Sequence, residues 1–185
     1  MDDQGRRALT QQMADHIPAL RRYARALVHN AADTDDLVQD CLVRAIAKLD
    51  HFAVGSNLRA WMMAILHNCF IDGFRKRRRY QEVGDTQETL SRGLFTPENQ
   101  TQVIQLNDVA KAISQLPSAQ RSTLLLASLE DMSYEQIAEI TNVPVGTVRS
   151  RLSRARHTVM RVVDDSHSLD LGTDIFPPTG TTHRN

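Results

Sequence analysis

Ser133-Tyr134-Glu135-Gln136-Ile137-Ala138-Glu139-Ile140-Thr141-Asn142-Val143-Pro144-Val145-Gly146-Thr147-Val148-Arg149-Ser150-Arg151-Leu152-Ser153-Arg154-Ala155-Arg156 is the stretch that decides the fold. Ser133 followed three residues later by Gln136 has the spacing of a capping box, in which each side chain satisfies the other residue's backbone N–H at a helix start. The spacing predicts a short helix over 134–140, with Ile137 inward and small Ala138 where a second helix crosses closely. Thr141-Asn142-Val143 then forms the turn. Asn142 takes its tight position, because Asn enters the left-handed region more readily than most residues. Pro144 opens the second helix, where a missing N–H costs nothing. Val148, Leu152, Ala155 and Val159 share the inner face of that helix, and Thr147, Ser150, Arg151 and Arg154 the outer face, flanked by Arg149 and Ser153. A short helix, a three-residue turn and a second helix with an Arg/Ser outer face suit the DNA major groove. The plainer reading is an amphipathic hairpin with a solvated basic face. The agreement of Ala138, Asn142, Pro144 and Val148 with the motif favours DNA contact.

Away from this motif the chain also reads as helices. Pro18 suits a first helical turn, and Leu20, Tyr23, Ala24 and Leu27 follow at helical spacing. Thr34 is placed to cap a second helix whose first turn carries Asp35 and Asp36, where the helix dipole favours acids. Its apolar stripe is Leu37, Cys41, Ile46 and Leu49. A break at Val54-Gly55-Ser56-Asn57 precedes a third helix over 58–74, which runs into the basic block Arg75-Lys76-Arg77-Arg78-Arg79. Between 80 and 105 polar residues, Gly and Pro dominate, as in a linker. Leu106, Val109, Ala110 and Ile113 form a further stripe, stopped at Leu116-Pro117, with Ser118 placed to cap the next helix. The expected architecture is all-α: one small helical domain over 10–80, a flexible linker over 81–105, a helix-turn-helix domain over 106–163 and a disordered tail over 164–185.

With 185 residues, 41% hydrophobic and 5% aromatic, the composition suits a helical globular protein. The longest apolar run, 60–66, is far short of the ~20 residues of a membrane span. The chain begins Met-Asp-Asp without an apolar signal core, and its two cysteines, Cys41 and Cys69, give no disulfide framework. No membrane insertion and a cytoplasmic setting are therefore expected. Net charge is zero, with 22 basic and 22 acidic residues, yet the charges are segregated. Acids gather at Asp33, Asp35, Asp36 and Asp40, and no Asp or Glu lies between Glu139 and Asp164. Clustered Arg and Lys are the footprint of phosphate binding. The face made by Asp35, Asp36, Gln39 and Asp40 would repel DNA and is either solvated or a dock for a basic partner. Phe52, Trp61, Phe70, Phe74 and Tyr80 accompany the basic run, where aromatic faces can stack on unpaired bases; most, Trp61 included, read as core.

Two sets of motifs resemble those of bacterial sigma factors. Asp35-Asp36-Leu37-Val38-Gln39-Asp40, Leu58-Arg59-Ala60-Trp61, Asn68 and Phe74-Arg75-Lys76-Arg77-Arg78-Arg79 resemble region two. Leu116-Pro117, Tyr134-Glu135-Gln136-Ile137-Ala138 and Val145-Gly146-Thr147-Val148-Arg149-Ser150-Arg151 resemble region four. Their order, with a short linker and no domain between, is that of the extracytoplasmic-function (ECF) class. Asn30-Ala31, Leu58-Arg59-Ala60-Trp61 and the Arg-rich run are similar to its alphaproteobacterial general-stress subgroup.

The resemblance implies a factor that directs RNA polymerase core to specific promoters. Asp35, Asp36, Gln39 and Asp40 would meet the clamp of the largest subunit, with the flap as a further polymerase contact. Phe52 and Asn68 would capture an unstacked base of the minus-10 element, and Arg75, Lys76, Arg77, Arg78 and Arg79 would hold phosphates beside it. Thr147, Arg149, Ser150, Arg151, Ser153 and Arg154 would read the minus-35 element. Glu82, Asp85 and Glu88 could mimic RNA along its exit path. The resemblance also implies an anti-sigma factor as partner and, in the subgroup, a response regulator with a sigma-like domain.

No enzyme, cofactor or metal is expected. The seven histidines are scattered, and no Gly-rich phosphate loop appears. His67-Asn68-Cys69 with Cys41 is the nearest approach to a metal set, but buried structural thiols are the commoner case. The competing readings are a dimeric helix-turn-helix regulator, which would leave the acidic helix without a role, and a sigma-like decoy, against which the basic faces of both halves speak.

Overall fold

The computed structural model describes residues 3–28, 30–81 and 100–170. Among them are seven α-helices, one 3-10 turn and no strand. The first half holds α1 (Asp3–Val28), α2 (Ala31–Ala47), the 3-10 turn Leu49–His51 and α3 (Leu58–Gln81). The second holds α4 (Gln100–Gln115), α5 (Ser118–Leu129), α6 (Tyr134–Thr141) and α7 (Val145–Asp170). The expected linker over 81–105 falls mostly outside the described residues, with Glu82, Asp85 and Glu88 among it, but Gln81 still belongs to α3 and 100–105 already belong to α4. The tail expected over 164–185 begins inside α7, which runs to Asp170, and only its residues beyond Asp170 lie outside the described part.

α1 starts far ahead of Pro18, which lies in its interior. Proline there removes one backbone bond and crowds the preceding turn. Tertiary packing outweighs that cost: Leu9, Met13, Leu20, Tyr23, Ala24 and Leu27 are buried along one helical stripe that runs straight past the proline.

Two expected caps also lie elsewhere. Thr34 is buried within α2, and Asn30 caps the helix instead. The Asn30 Oδ1 accepts from the Asp33 N–H at 2.7 Å, while its Nδ2 donates to the Asp33 carboxylate at 2.8 Å. At α5, Pro117 occupies the cap position without a side-chain bond, and its carbonyl accepts from the N–H groups of Gln120 and Arg121. Ser118 is already the first helical residue.

The helix-turn-helix follows its sequence closely. The Ser133 hydroxyl accepts from Gln136 N–H at 3.2 Å, and the Gln136 side chain accepts from Ser133 N–H at 3.0 Å. Asn142 is left-handed, with φ 51° and ψ 51°. Its N–H and that of Val143 close the end of α6 on the carbonyls of Glu139 and Ala138. Pro144 stands one residue before α7 and offers its carbonyl to Thr147 and Val148. Ser133→Ala is expected to destabilise the protein by ~1 kcal/mol, which urea denaturation would measure.

The two halves are packed together. α1 and α3 embrace α2 in the first half, and α7 lies across α4, α5 and α6 in the second. Between the halves, α1 contacts α5 and α3 contacts α6. α5 is therefore covered on both sides, which explains why five consecutive residues, Ser122, Thr123, Leu124, Leu125 and Leu126, are buried.

Candidate nucleic-acid and polymerase interface

α7 is seated by Val148, Leu152 and Ala155, all buried, with Val159 packed at the edge of the same core. This fixes which side of the helix remains outside. Arg149, Ser150, Ser153 and Arg154 are exposed, whereas Thr147 and Arg151 are half-buried. The Ser150 hydroxyl donates to the Thr147 carbonyl at 3.0 Å. Arg154 lies back along the helix, its Nε donating to the Ser150 carbonyl at 3.2 Å and its Nη2 to the Ser150 hydroxyl at 3.3 Å. The arginine is thus held over the outward-facing turn by the helix itself, and its guanidinium fork keeps donors to spare. Beside it, Glu135 has its carboxyl held below the ordinary range, first by backbone N–H at the start of α6, then by the Ser133 hydroxyl and the Arg149 charge.

The acidic face of α2 is open. Asp35, Asp36, Gln39 and Asp40 are all exposed, and Asp35 meets Arg21 at 3.2 Å. Asp36 and Asp40, one helical turn apart, edge a cleft that also holds Asp33 and reaches Leu37, Cys69 and Phe70. Acidic edges above an apolar floor suit a basic, amphipathic protein element and disfavour DNA.

A second cleft lies between the start of α1 and the loop before α3. Gly5, Leu9 and Gln12 face Phe52, Val54, Gly55 and Ser56 across it. Gly55 has φ +90°, a conformation that side chains rarely adopt, so the loop turns sharply at that point. Asn57 then starts α3, its side chain accepting from Ala60 N–H at 3.0 Å. Phe52 differs from expectation. It is 7% exposed, with its ring 5.2 Å from that of Trp61, and so forms the wall of the cleft instead of projecting from it. Val54, 77% exposed, is the apolar side chain that does project, and no pattern in the sequence singles it out. Asn68 is exposed on α3. Arg75, Lys76, Arg77, Arg78 and Arg79 continue α3, with side chains outside the described part.

His67 and the cysteines do not come together as metal ligands. His67 is buried, with its Nδ1 3.3 Å from the Tyr23 hydroxyl. Cys41 donates to the Met62 carbonyl at 3.5 Å, and burial pushes its thiol up to about 12, with Cys69 adding to the shift. Among the described residues no three His, Cys, Asp or Glu side chains group as a metal site. No helix there is long and apolar enough to cross a membrane.

Comparison with known proteins agrees with this geometry on both halves. Residues 13–67 match the family of the sigma2 domain of PhyR, and residues 106–159 match sigma-70 region 4. The ECF RNA polymerase sigma factor EcfG of Rhodopseudomonas palustris is 39% identical over 170 residues, 90% of this chain and 93% of that protein. The RNA polymerase sigma factor HrpL of Pseudomonas syringae is 33% identical over 84% of this chain and 87% of its own. Among solved structures, the sigma factor RpoE of Bartonella quintana, in complex with the anti-sigma factor NepR, superposes with a TM-score of 0.74 at 35% identity. That match covers 83% of this chain and 95% of RpoE, so it spans both halves at once. A duplex-only regulator is not favoured. With both sigma regions present in order and sigma factors matching nearly end to end, the chain belongs to the extracytoplasmic-function RNA polymerase sigma factors.

Proposed function

We propose that this sigma factor bridges core polymerase and a two-element promoter through three separate surfaces. The observation that carries the reading is the exposed Arg149, Ser150, Ser153 and Arg154 edge of a helix-turn-helix, on a chain whose α2 presents an open acidic face. DNA is drawn to the first and repelled by the second, so one chain engages two different partners. In this reading α7 enters the major groove at the minus-35 element, with Thr147 and Arg151 at the margin of the contact. Asp35, Asp36, Gln39 and Asp40 meet the clamp of the largest polymerase subunit. The cleft walled by Phe52, with Asn68 and the basic run of α3, receives an unstacked minus-10 base and its phosphates. Base capture traps the duplex as it opens, and the catalytic chemistry of initiation belongs to the polymerase, leaving this chain no enzymatic role.

The anti-sigma factor bound to RpoE supports an anti-sigma partner for this chain as well. The general-stress reading rests on the Asn30-Ala31, Leu58-Arg59-Ala60-Trp61 and Arg-rich motifs, and the similarity to EcfG and to the NepR-bound RpoE is consistent with it. The site of action is the cytoplasm, where polymerase and promoter meet.

Run-off transcription with purified core polymerase, with and without the chain, tests this reading. Promoter-specific transcripts that depend on the chain are expected; failure both to bind core and to direct a transcript would overturn it. Arg154→Ala is expected to lower discrimination at the upstream element by ~1–3 kcal/mol. Competition between cognate and single-base-altered duplexes measures it. A change confined to the salt dependence would mark Arg154 as a phosphate contact.

A further inference from the structure

The deepest charged group in the described protein is not at any of these surfaces. Glu130 ends α5, its side chain 0% exposed, at the seam between the two halves. Arg22 of α1 grips it with two parallel bonds, Nε to Oε1 and Nη2 to Oε2, both 2.9 Å. Arg59, in the first turn of α3, donates to the same Oε2 and also to the Glu130 backbone carbonyl at 3.1 Å. Both arginines belong to the first half and Glu130 to the second. A few residues away the Arg121 Nη1 crosses in the opposite direction to the Leu27 carbonyl at 3.2 Å. The seam reaches α7 too, because the charge of Arg151 acts on buried His67 of α3.

This closed arrangement does not fit a promoter. Elements centred at minus-35 and minus-10 lie ~25 base pairs apart, which is ~85 Å at 3.4 Å per step. A compact chain of this length has a radius of gyration of only about 16 Å. The 18 residues 82–99 between α3 and α4 can extend to about 60 Å, so covalent connection does not forbid separation.

We infer that Glu130, Arg22 and Arg59 form an intramolecular latch that holds the two halves closed in the free protein and must open before both can engage DNA. The charges suit a latch better than a permanent core contact. Two guanidiniums and a carboxylate regain water once apart, which offsets part of the cost of parting the buried apolar residues that the two halves share in one core. Loss of the arginines strands the buried Glu130 carboxylate, and loss of Glu130 removes the one anion that holds two part-exposed arginines across the seam, so opening follows from a change at either side. The inference rests on the sigma reading only for the need to open; the latch itself is a property of the free chain.

The test uses the full chain without polymerase or DNA. Small-angle scattering gives its radius of gyration, and amide exchange reports on α6 and the first turn of α3. For Glu130→Gln we expect a larger radius, unchanged helical circular dichroism, and exchange at least about tenfold faster at the seam. Arg22→Gln/Arg59→Gln, which strands the carboxylate, is expected to do the same, and it decides the matter if Glu130→Gln loses helicity. Radius and seam exchange that stay at the wild-type values in a helical Arg22→Gln/Arg59→Gln protein would overturn the latch, as would loss of helicity in both variants. Because neither readout involves transcription, failure of the latch and failure of the sigma reading are distinguishable.

Discussion

Asp36→Ala/Asp40→Ala is expected to weaken binding to core polymerase by about a hundredfold, at ~1.4 kcal/mol for each carboxylate. Promoter-specific transcription at limiting chain should fall with it. Both carboxylates are exposed, stand one turn apart on α2 and edge the same cleft, above Leu37 and Phe70. A basic element lying in that cleft meets both at once and buries apolar surface beneath them. Among the described residues neither carboxylate takes part in an ion pair, so the folded state loses little when they go. Asp35 is different: its charge is already shared with Arg21, and Asp35→Ala should have the smaller effect. Biolayer binding to core, with thermal unfolding of each variant as control, measures both. An affinity within about threefold of wild type for the double variant would place the polymerase contact elsewhere.

The helix-turn-helix was legible in sequence because every decision in it is local. Ser133 and Gln136 satisfy each other across three residues, Asn142 adopts the left-handed turn by its own short amide, and the apolar spacing of Val148, Leu152 and Ala155 seats α7. The misplaced boundaries have the opposite character. Pro18 is a strong local signal for a helix start, yet the stripe from Leu9 to Leu27 carries α1 through it. Thr34 and Ser118 have the chemistry of caps, but burial takes Thr34 into the helix, and the extended backbone of Pro117 begins α5 one residue ahead of Ser118. Least legible is the seam. Arg22 and Glu130 are 108 positions apart and Arg59 and Glu130 are 71, and no periodicity connects residues at such separations. The same is true of the second cleft: spacing leaves Phe52 free to meet a base, and only its packing on Trp61 shows which surface it has left.

His67 makes that seam sensitive to acid. Burial first, and the Arg151 charge second, lower its pKa from 6.5 to about 4. The Tyr23 hydroxyl stays protonated, since burial and then Glu130 raise its pKa, and so it can donate to a neutral His67 Nδ1. In the unfolded chain the imidazole takes up its proton near pH 6.5, whereas in the folded chain it resists until about pH 4. The unfolded state therefore binds more protons across that window, and the stability conferred by neutral His67 is complete above pH 6.5 and drains away as pH falls towards 4. The loss should reach about 3 kcal/mol by the bottom of the window. Urea unfolding of wild type and His67→Gln at matched pH values isolates this group from the other six histidines, and the variant should show the shallower decline. Equal slopes would mean that His67 titrates normally in the folded protein. Arg151→Ala should recover a minor part of the shift, because removing that charge leaves the larger burial cost in place.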